Sequence, residues 1–328
     1  MSLKEKKPMS VGNLIEFLNH VDLKELNESL DELDKKAEKI FQEKNSDVGK
    51  TIVVETERMS SEEFVWFCFL KANFLRGSDI TSNKAFMQFI NYCKNEKNNY
   101  YFNKFPSDNF LPKFKNPKFL RAAAIEKVLE QLRGKYKSGS DFIEEIKELA
   151  NNIKVNEIHE LYLELIAKFM GYKYVGSKIA NAIIGEVIFE TTLLSKYNKS
   201  ETVKRLIGDE WIRKLLLASF FNVMIDTHVR NFFEEKLGIK GSEHSILIFI
   251  GKSMNKETTK SLFERNFKYF KWIEEKEEEV LLNNYHEYIG ACMLEKLIWL
   301  AYFVKKNSRK SENVSDLKFF KLSGDLFL

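Results

Sequence analysis

MGYKYVGSKIANAIIGEV (Met170–Val187) sets a turn with two glycines between the end of one apolar helix and the start of another. It also puts a lysine, Lys178, in the first turn of the second helix. Cations are ordinarily favoured at the other end of a helix, where the macrodipole is negative. Either the amine points into water or something makes it useful there. Gly176 suits a tight turn and leaves the amides of Gly176, Ser177 and Lys178 exposed at the new helix start. Such amides, together with the dipole, make an anion site. A phosphodiester fits it, and contacts of that kind position a duplex without reading its sequence. Ala180, Ala182 and Gly185 face the second helix with small residues that admit a close neighbour.

The rest of the chain reads as helix after helix. All four prolines (Pro8, Pro106, Pro112, Pro117) lie in the first 117 of 328 residues, and the remaining 211 are rich in Leu, Ile, Lys and Glu. Residues 12–43 alternate apolar and charged positions at helical spacing. Thr51–Val54 (TIVV) is the best strand candidate. Ser60 and Ser61, followed by Glu63, read as the cap of a strongly apolar helix, EEFVWFCFLKANFL. Asn95–Pro117 holds three prolines and six aromatics and reads as the clearest irregular segment. Helices then resume with FLRAAAIEKVLEQL, closed near Gly134, and FIEEIKELA, with Ser140 and Asp141 offered as caps. IHELYLELIAKFM leads into the opening turn, and the helix after it is expected to end near Thr191. Two helices starting near Ser200 and Asp209 follow, then further helical stretches at about 256–272 and 278–304 and a short tail. The fold class expected is all-α.

Composition narrows the function classes. Hydrophobic residues at 44% and charged residues at 30% describe a globular chain with a real core. Cys68, Cys93 and Cys292 show neither metal spacing nor an even disulfide set, which points to a reducing, cytoplasmic or nucleoid-associated location. MSLKEKKPMS is charged without an apolar core behind it, and no apolar run has membrane-spanning length, so neither signal peptide nor membrane partner is expected. The net charge of +4 is small, but Lys104–Lys137 carries nine basic and three acidic residues, a balance that suits a polyanion. Ordinary solvated helix surface would look the same.

Several motifs fail. DVGKT (Asp47–Thr51) lacks the first glycine of a phosphate loop, since Lys44 stands there. The five histidines show no zinc spacing, and no metal or nucleotide cofactor is expected. Further along, MIDTHVRNFFEEKL (Met224–Leu237) places Asp226 where a helix N-cap belongs. His228 and Arg230 share that helix start, available for phosphate contacts or simply solvated.

VGSKIANAI followed by IDTHVRNF resembles the helix-hairpin-helix DNA glycosylase superfamily, whose members carry a V-G-x-K-x-A turn and a later V-D-x-H segment. The resemblance covers about residues 118–237, including the run-up helices. Tyr174 stands where many members have another glycine, and the pattern is closer to the 8-oxoguanine branch. The iron-sulphur cysteines of the endonuclease III branch are absent. The resemblance implies a bifunctional DNA glycosylase and AP lyase, with Lys178 as the nucleophile that forms a Schiff base and Asp226 as its assistant. Val175, Gly176, Ser177, His228 and Arg230 would contact DNA. The amine must be neutral to attack, so burial beside the helix start is expected of Lys178.

The implied architecture is two helical parts with a cleft between them. Residues 1–117 would form an N-terminal part and 118–240 the hairpin part; residues 241–328 would pack back on the first. Lys178 and Asp226 are 48 residues apart, further than is usual, so a helical insertion at about 191–222 is expected. The implied partner is double-stranded DNA carrying a damaged base, bound by a monomer. A non-catalytic helix-hairpin-helix protein that clamps DNA or RNA is the alternative.

Overall fold

A computed structural model describes residues 8–45, 55–74, 79–95, 100–105, 120–197, 199–266, 273–308 and 313–328. Sixteen α-helices account for most of them, and no strand occurs among the described residues. The strand candidate Thr51–Val54 and most of the proline-rich loop lie outside the described residues.

The chain opens with α1 (Val11–His20) and α2 (Leu23–Asn45). It continues through α3 (Ser61–Phe74), α4 (Asp79–Asn95), α5 (Leu120–Lys135), α6 (Gly139–Asn152) and α7 (Ile158–Met170). Then come α8 (Ser177–Lys196), α9 (Ser200–Gly208) and α10 (Glu210–Ala218). The last group is α11 (Thr227–Phe232), α12 (Glu243–Ser253), α13 (Lys256–Asn266), α14 (Glu275–Asn284), α15 (His286–Asn307) and α16 (Lys318–Ser323). A single π turn, Phe233–Leu237, prolongs α11. Periodicity does not predict α12: EHSILIFIGKS is short and apolar and does not stand out from other buried segments.

Compactness divides the chain into Asn45–Asn222 on one hand and Met1–Lys44 with Val223–Leu328 on the other. These divisions fall elsewhere than at residues 117 and 240. The N-terminal helices belong with the C-terminal ones because their side chains are tied together. Asn19 bonds Ser253 and Asn255, at 2.9 Å to the Ser253 carbonyl, and Arg265 bridges Asp31 and Asp34. Within this unit α12 and α15 cross with backbones in contact. A Cβ built on Gly251 would lie 2.3 Å from the Glu287 carbonyl oxygen, and one on Gly290 2.8 Å from that of Gly251. Only glycine fits at such a crossing.

In the unit of residues 45–222, α3 is central. Its start is a capping box: Ser60 Oγ accepts from the Glu63 amide at 3.1 Å, and Glu63 accepts from the Ser60 amide at 2.9 Å. Nearly the whole helix is buried, from Phe64 to Phe74. Helix α6 is capped by Ser138, two residues before the position read from the sequence. Asp141 reaches back instead and accepts from the Lys137 amide at 3.0 Å.

Helix α3 meets α8 through buried charge. Lys71 Nζ lies 2.7 Å from Glu186 Oε2 and also bonds Glu190 Oε1, and all three side chains are buried. Burial by itself would push the ammonium's pKa down, but the two carboxylates outweigh it and hold it above the ordinary lysine value. Two glutamates share one lysine, and Glu190 Oε2 has no hydrogen-bond partner among the described residues. Lys71→Met, which strands both carboxylates, is expected to lower stability by about 3–5 kcal/mol at neutral pH. Urea unfolding should show that loss shrinking on acidification, because protonating the stranded glutamates removes their charge.

Candidate functional site

The hairpin lies in the unit of residues 45–222. Helix α7 ends at Gly171, and the turn closes with the Val175 amide donating to the Tyr172 carbonyl at 3.0 Å. The strained residue of this turn is Tyr174, at φ 72. Gly176 is extended at φ −84, a conformation open to any residue. The freedom credited to Gly176 from the sequence is therefore needed two residues earlier, at the position where the resemblance implies glycine. Gly176 contributes space instead: a Cβ there would meet nothing within 4 Å.

Helix α8 starts without a side-chain cap, so its first amides face the open space that Gly176 leaves. Two bonds fix this start against α7. Tyr162 donates to Asn181 Oδ1 at 2.7 Å, and Asn181 Nδ2 donates to the Ser177 carbonyl at 2.9 Å. The Lys173 amide donates to Gln131 Oε1 at 3.0 Å, which ties the turn to α5. Ser177 and Lys178 are exposed. The burial expected of Lys178 is absent: the side chain stands in the first turn, where the helix start faces solvent. Val175 is buried and its amide is engaged with the Tyr172 carbonyl. Ala180 and Ala182 are buried, and a Cβ on Gly185 would come 2.4 Å from Asn222 Nδ2, so the small-residue face does admit close neighbours.

Asp226 lies in the other unit and caps α11. Its Oδ1 accepts from the Val229 amide at 2.9 Å. Its Oδ2 accepts from Trp299 Nε1 on α15 at 3.0 Å, a partner the sequence did not single out. Trp299 stacks on Phe303 at 5.0 Å, and the His228 ring stands edge-on to both. His228 is thus half-buried in aromatic surroundings, and its Nδ1 has no hydrogen-bond partner among the described residues. Arg230 is exposed. One turn before Trp299, Glu295 is buried in α15, and its carboxyl pKa is pushed up to about 8. Burial is the main cause; Lys296 pulls the value back, and the charge of Asp226 adds to the rise. An acid inside the apolar run GACMLEKLIWLAYFV (Gly290–Val304) is the signal that could have found it.

The stretch expected as an insertion is helical and fastened within its own unit. Helix α8 runs to Lys196, five residues past the expected end at Thr191. Helices α9 and α10 then follow, with Arg205 donating to the Met59 carbonyl at 2.6 Å and Ser61 bonding Asp209. Among the described residues no group of three His, Cys, Asp or Glu side chains could hold a metal ion, and no helix is long and apolar enough to cross a membrane. No protein-family profile matches the chain, and neither does any curated protein or solved structure.

Two outcomes follow from this geometry. Tyr174→Gly should raise the unfolding free energy by a net of about 0.5–1 kcal/mol, read in urea unfolding, since relief of the left-handed strain exceeds the entropy a glycine costs. Asn is as good an N-cap as Asp, yet Asp226→Asn turns an amide donor toward the Trp299 indole and should cost about 1–3 kcal/mol. A double-mutant cycle with Trp299→Phe should return a coupling of about 0.5–3 kcal/mol in chemical denaturation.

Proposed function

We propose that the chain is a DNA repair N-glycosylase with AP lyase activity that excises an oxidised purine, 8-oxoguanine foremost, from double-stranded DNA. The observation that carries this reading is the uncapped start of α8, with free amides beside an exposed lysine in the first turn. A carboxylate held by an indole follows in the order that the resemblance implies.

In this reading a phosphate of the damaged strand rests on the amides of Gly176, Ser177 and Lys178. Lys178 Nζ attacks the sugar C1′ of the extruded nucleotide as the bond to the base breaks and its electron pair leaves with the base. Loss of a proton from the new C–N adduct and opening of the sugar give a Schiff base, from which β-elimination nicks the strand. The resemblance gives Asp226 the part of stabilising the positive charge that develops on the sugar, or of taking a proton from the amine. A lysine is mostly protonated at neutral pH. No cofactor is called for, because the chain supplies its own nucleophile.

The exposure of Lys178 favours a second reading, in which the hairpin clamps DNA or RNA without chemistry. Borohydride trapping on duplexes with single lesions separates the two. The enzyme should give a covalent adduct with an oxidised purine opposite cytosine. Lys178→Gln should abolish the adduct, while a distal lysine change leaves it intact. Salt-dependent binding with no adduct on oxidised purine, oxidised pyrimidine or an abasic site selects the clamp.

A further inference from the structure

The chemistry around Asp226 is not that of one carboxylate alone. Trp299, whose indole holds Asp226 Oδ2, stands on α15 one turn after Glu295, so both side chains share one face of that helix. Glu295 is only 5% exposed and forms no ion pair among the described residues. The charged groups acting on it are Lys296, its neighbour on the helix, and Asp226 from the segment before α11. Helices α11, α12, α13 and α14 also pack on α15; α11 brings the His228 ring edge-on to Trp299, and none of the four sends a charged group that acts on Glu295. Cys292, also on α15, is buried one turn earlier. Two carboxyl groups in one neighbourhood resist ionising together, and the more buried one keeps its proton.

We infer that Glu295 is a positioning residue for Asp226: as the uncharged acid it leaves Asp226 the sole anion of the cluster, and on ionising it disables the site. The inference rests on the glycosylase reading for what Asp226 does. The Asp226 carboxylate accepts from Trp299 and Val229. Loss of the Glu295 proton puts a buried negative charge one turn from Trp299, which opposes the Asp226 carboxylate and loosens its hold on the indole. Both the indole hydrogen bond and the placement of the Asp226 carboxylate then suffer. Glu295 thereby sets an alkaline limit close to its own pKa of about 8.

The test is the pH dependence of single-turnover adduct formation, run alongside a titration of Glu295 by carbon-13 NMR of its side-chain carboxyl. The wild-type rate should fall about tenfold per pH unit above its alkaline midpoint, and that midpoint should coincide with the measured Glu295 titration. Glu295→Gln, neutral at every pH, should keep the wild-type rate at pH 7 and lose the alkaline limb. Stability supplies a readout independent of chemistry. A carboxyl ionising near ~4.3 when unfolded and higher when folded stabilises fully below the lower value, and that stability is lost as pH rises to the folded value. The stability gap between Glu295→Gln and wild type should therefore widen from pH 5 and level off near pH 8.

An unchanged alkaline limb in Glu295→Gln, or a Glu295 titration in the ordinary carboxylate range, overturns the inference while leaving the glycosylase reading intact. If Glu295→Gln does not fold, a wild-type limb whose midpoint departs from the Glu295 titration overturns it equally. Absence of any adduct from wild type defeats the glycosylase reading, and the positioning role falls with it. The NMR titration then still reports whether the acid is held neutral.

Discussion

One buried lysine between two glutamates fixes where the candidate nucleophile's helix lies. Lys71 reaches from α3 to Glu186 and Glu190 on α8, and all three side chains are buried. Buried ions are tolerated only when each meets its opposite, and a single misplaced partner leaves a charge stranded in low dielectric. The arrangement therefore specifies a register more than it adds stability. A slide of α8 by one turn would leave Lys71 beside only one of the two glutamates and strand the other. That constraint, with the Tyr162–Asn181–Ser177 bonds, holds the start of α8 at one place relative to α7.

A similar economy operates in the other unit, where glycines replace charges. Gly251 and Gly290 bring the backbones of α12 and α15 into contact, and any larger residue would collide with a carbonyl or an amide. The close crossing fixes α15, and α15 in turn presents Glu295 and Trp299. Asp226 then acquires its second hydrogen bond from a helix 73 residues away in sequence. An N-cap alone would orient one carboxylate oxygen; the indole orients the other. The hairpin is held by different means, with exposed amides and an exposed lysine on a buried frame. The strain at Tyr174 sits in that turn, as strained residues often do beside functional sites.

Much of this was legible in the sequence, element by element. The apolar spacing of IHELYLELIAKFM marks α7 with its observed limits, Ser60 and Glu63 announce the start of α3, and Asp226 reads correctly as a cap. These are local matters of periodicity and of polar side chains near unsatisfied amides. The cap of α6 was misplaced because Ser138, Ser140 and Asp141 are all competent, and only backbone geometry chooses among them. The role given to Gly176 was misassigned for a related reason: glycine permits a left-handed residue but does not reveal whether it adopts one.

What the sequence determined by itself was the all-helical character, the hairpin with its lysine and the capping aspartate, because each depends on residues within a turn or two of one another. Tertiary structure alone decided which distant side chains complete them. Nothing in Trp299 or Glu295 marks them for Asp226, and nothing in Lys71 names Glu186 and Glu190. Exposure was settled at the same level. Lys178 faces water while Val175, three residues earlier, is buried, since burial depends on what other helices bring to a surface. Propensity and capping are properties of a segment; burial, and the ionisation that follows from it, are properties of the packed whole.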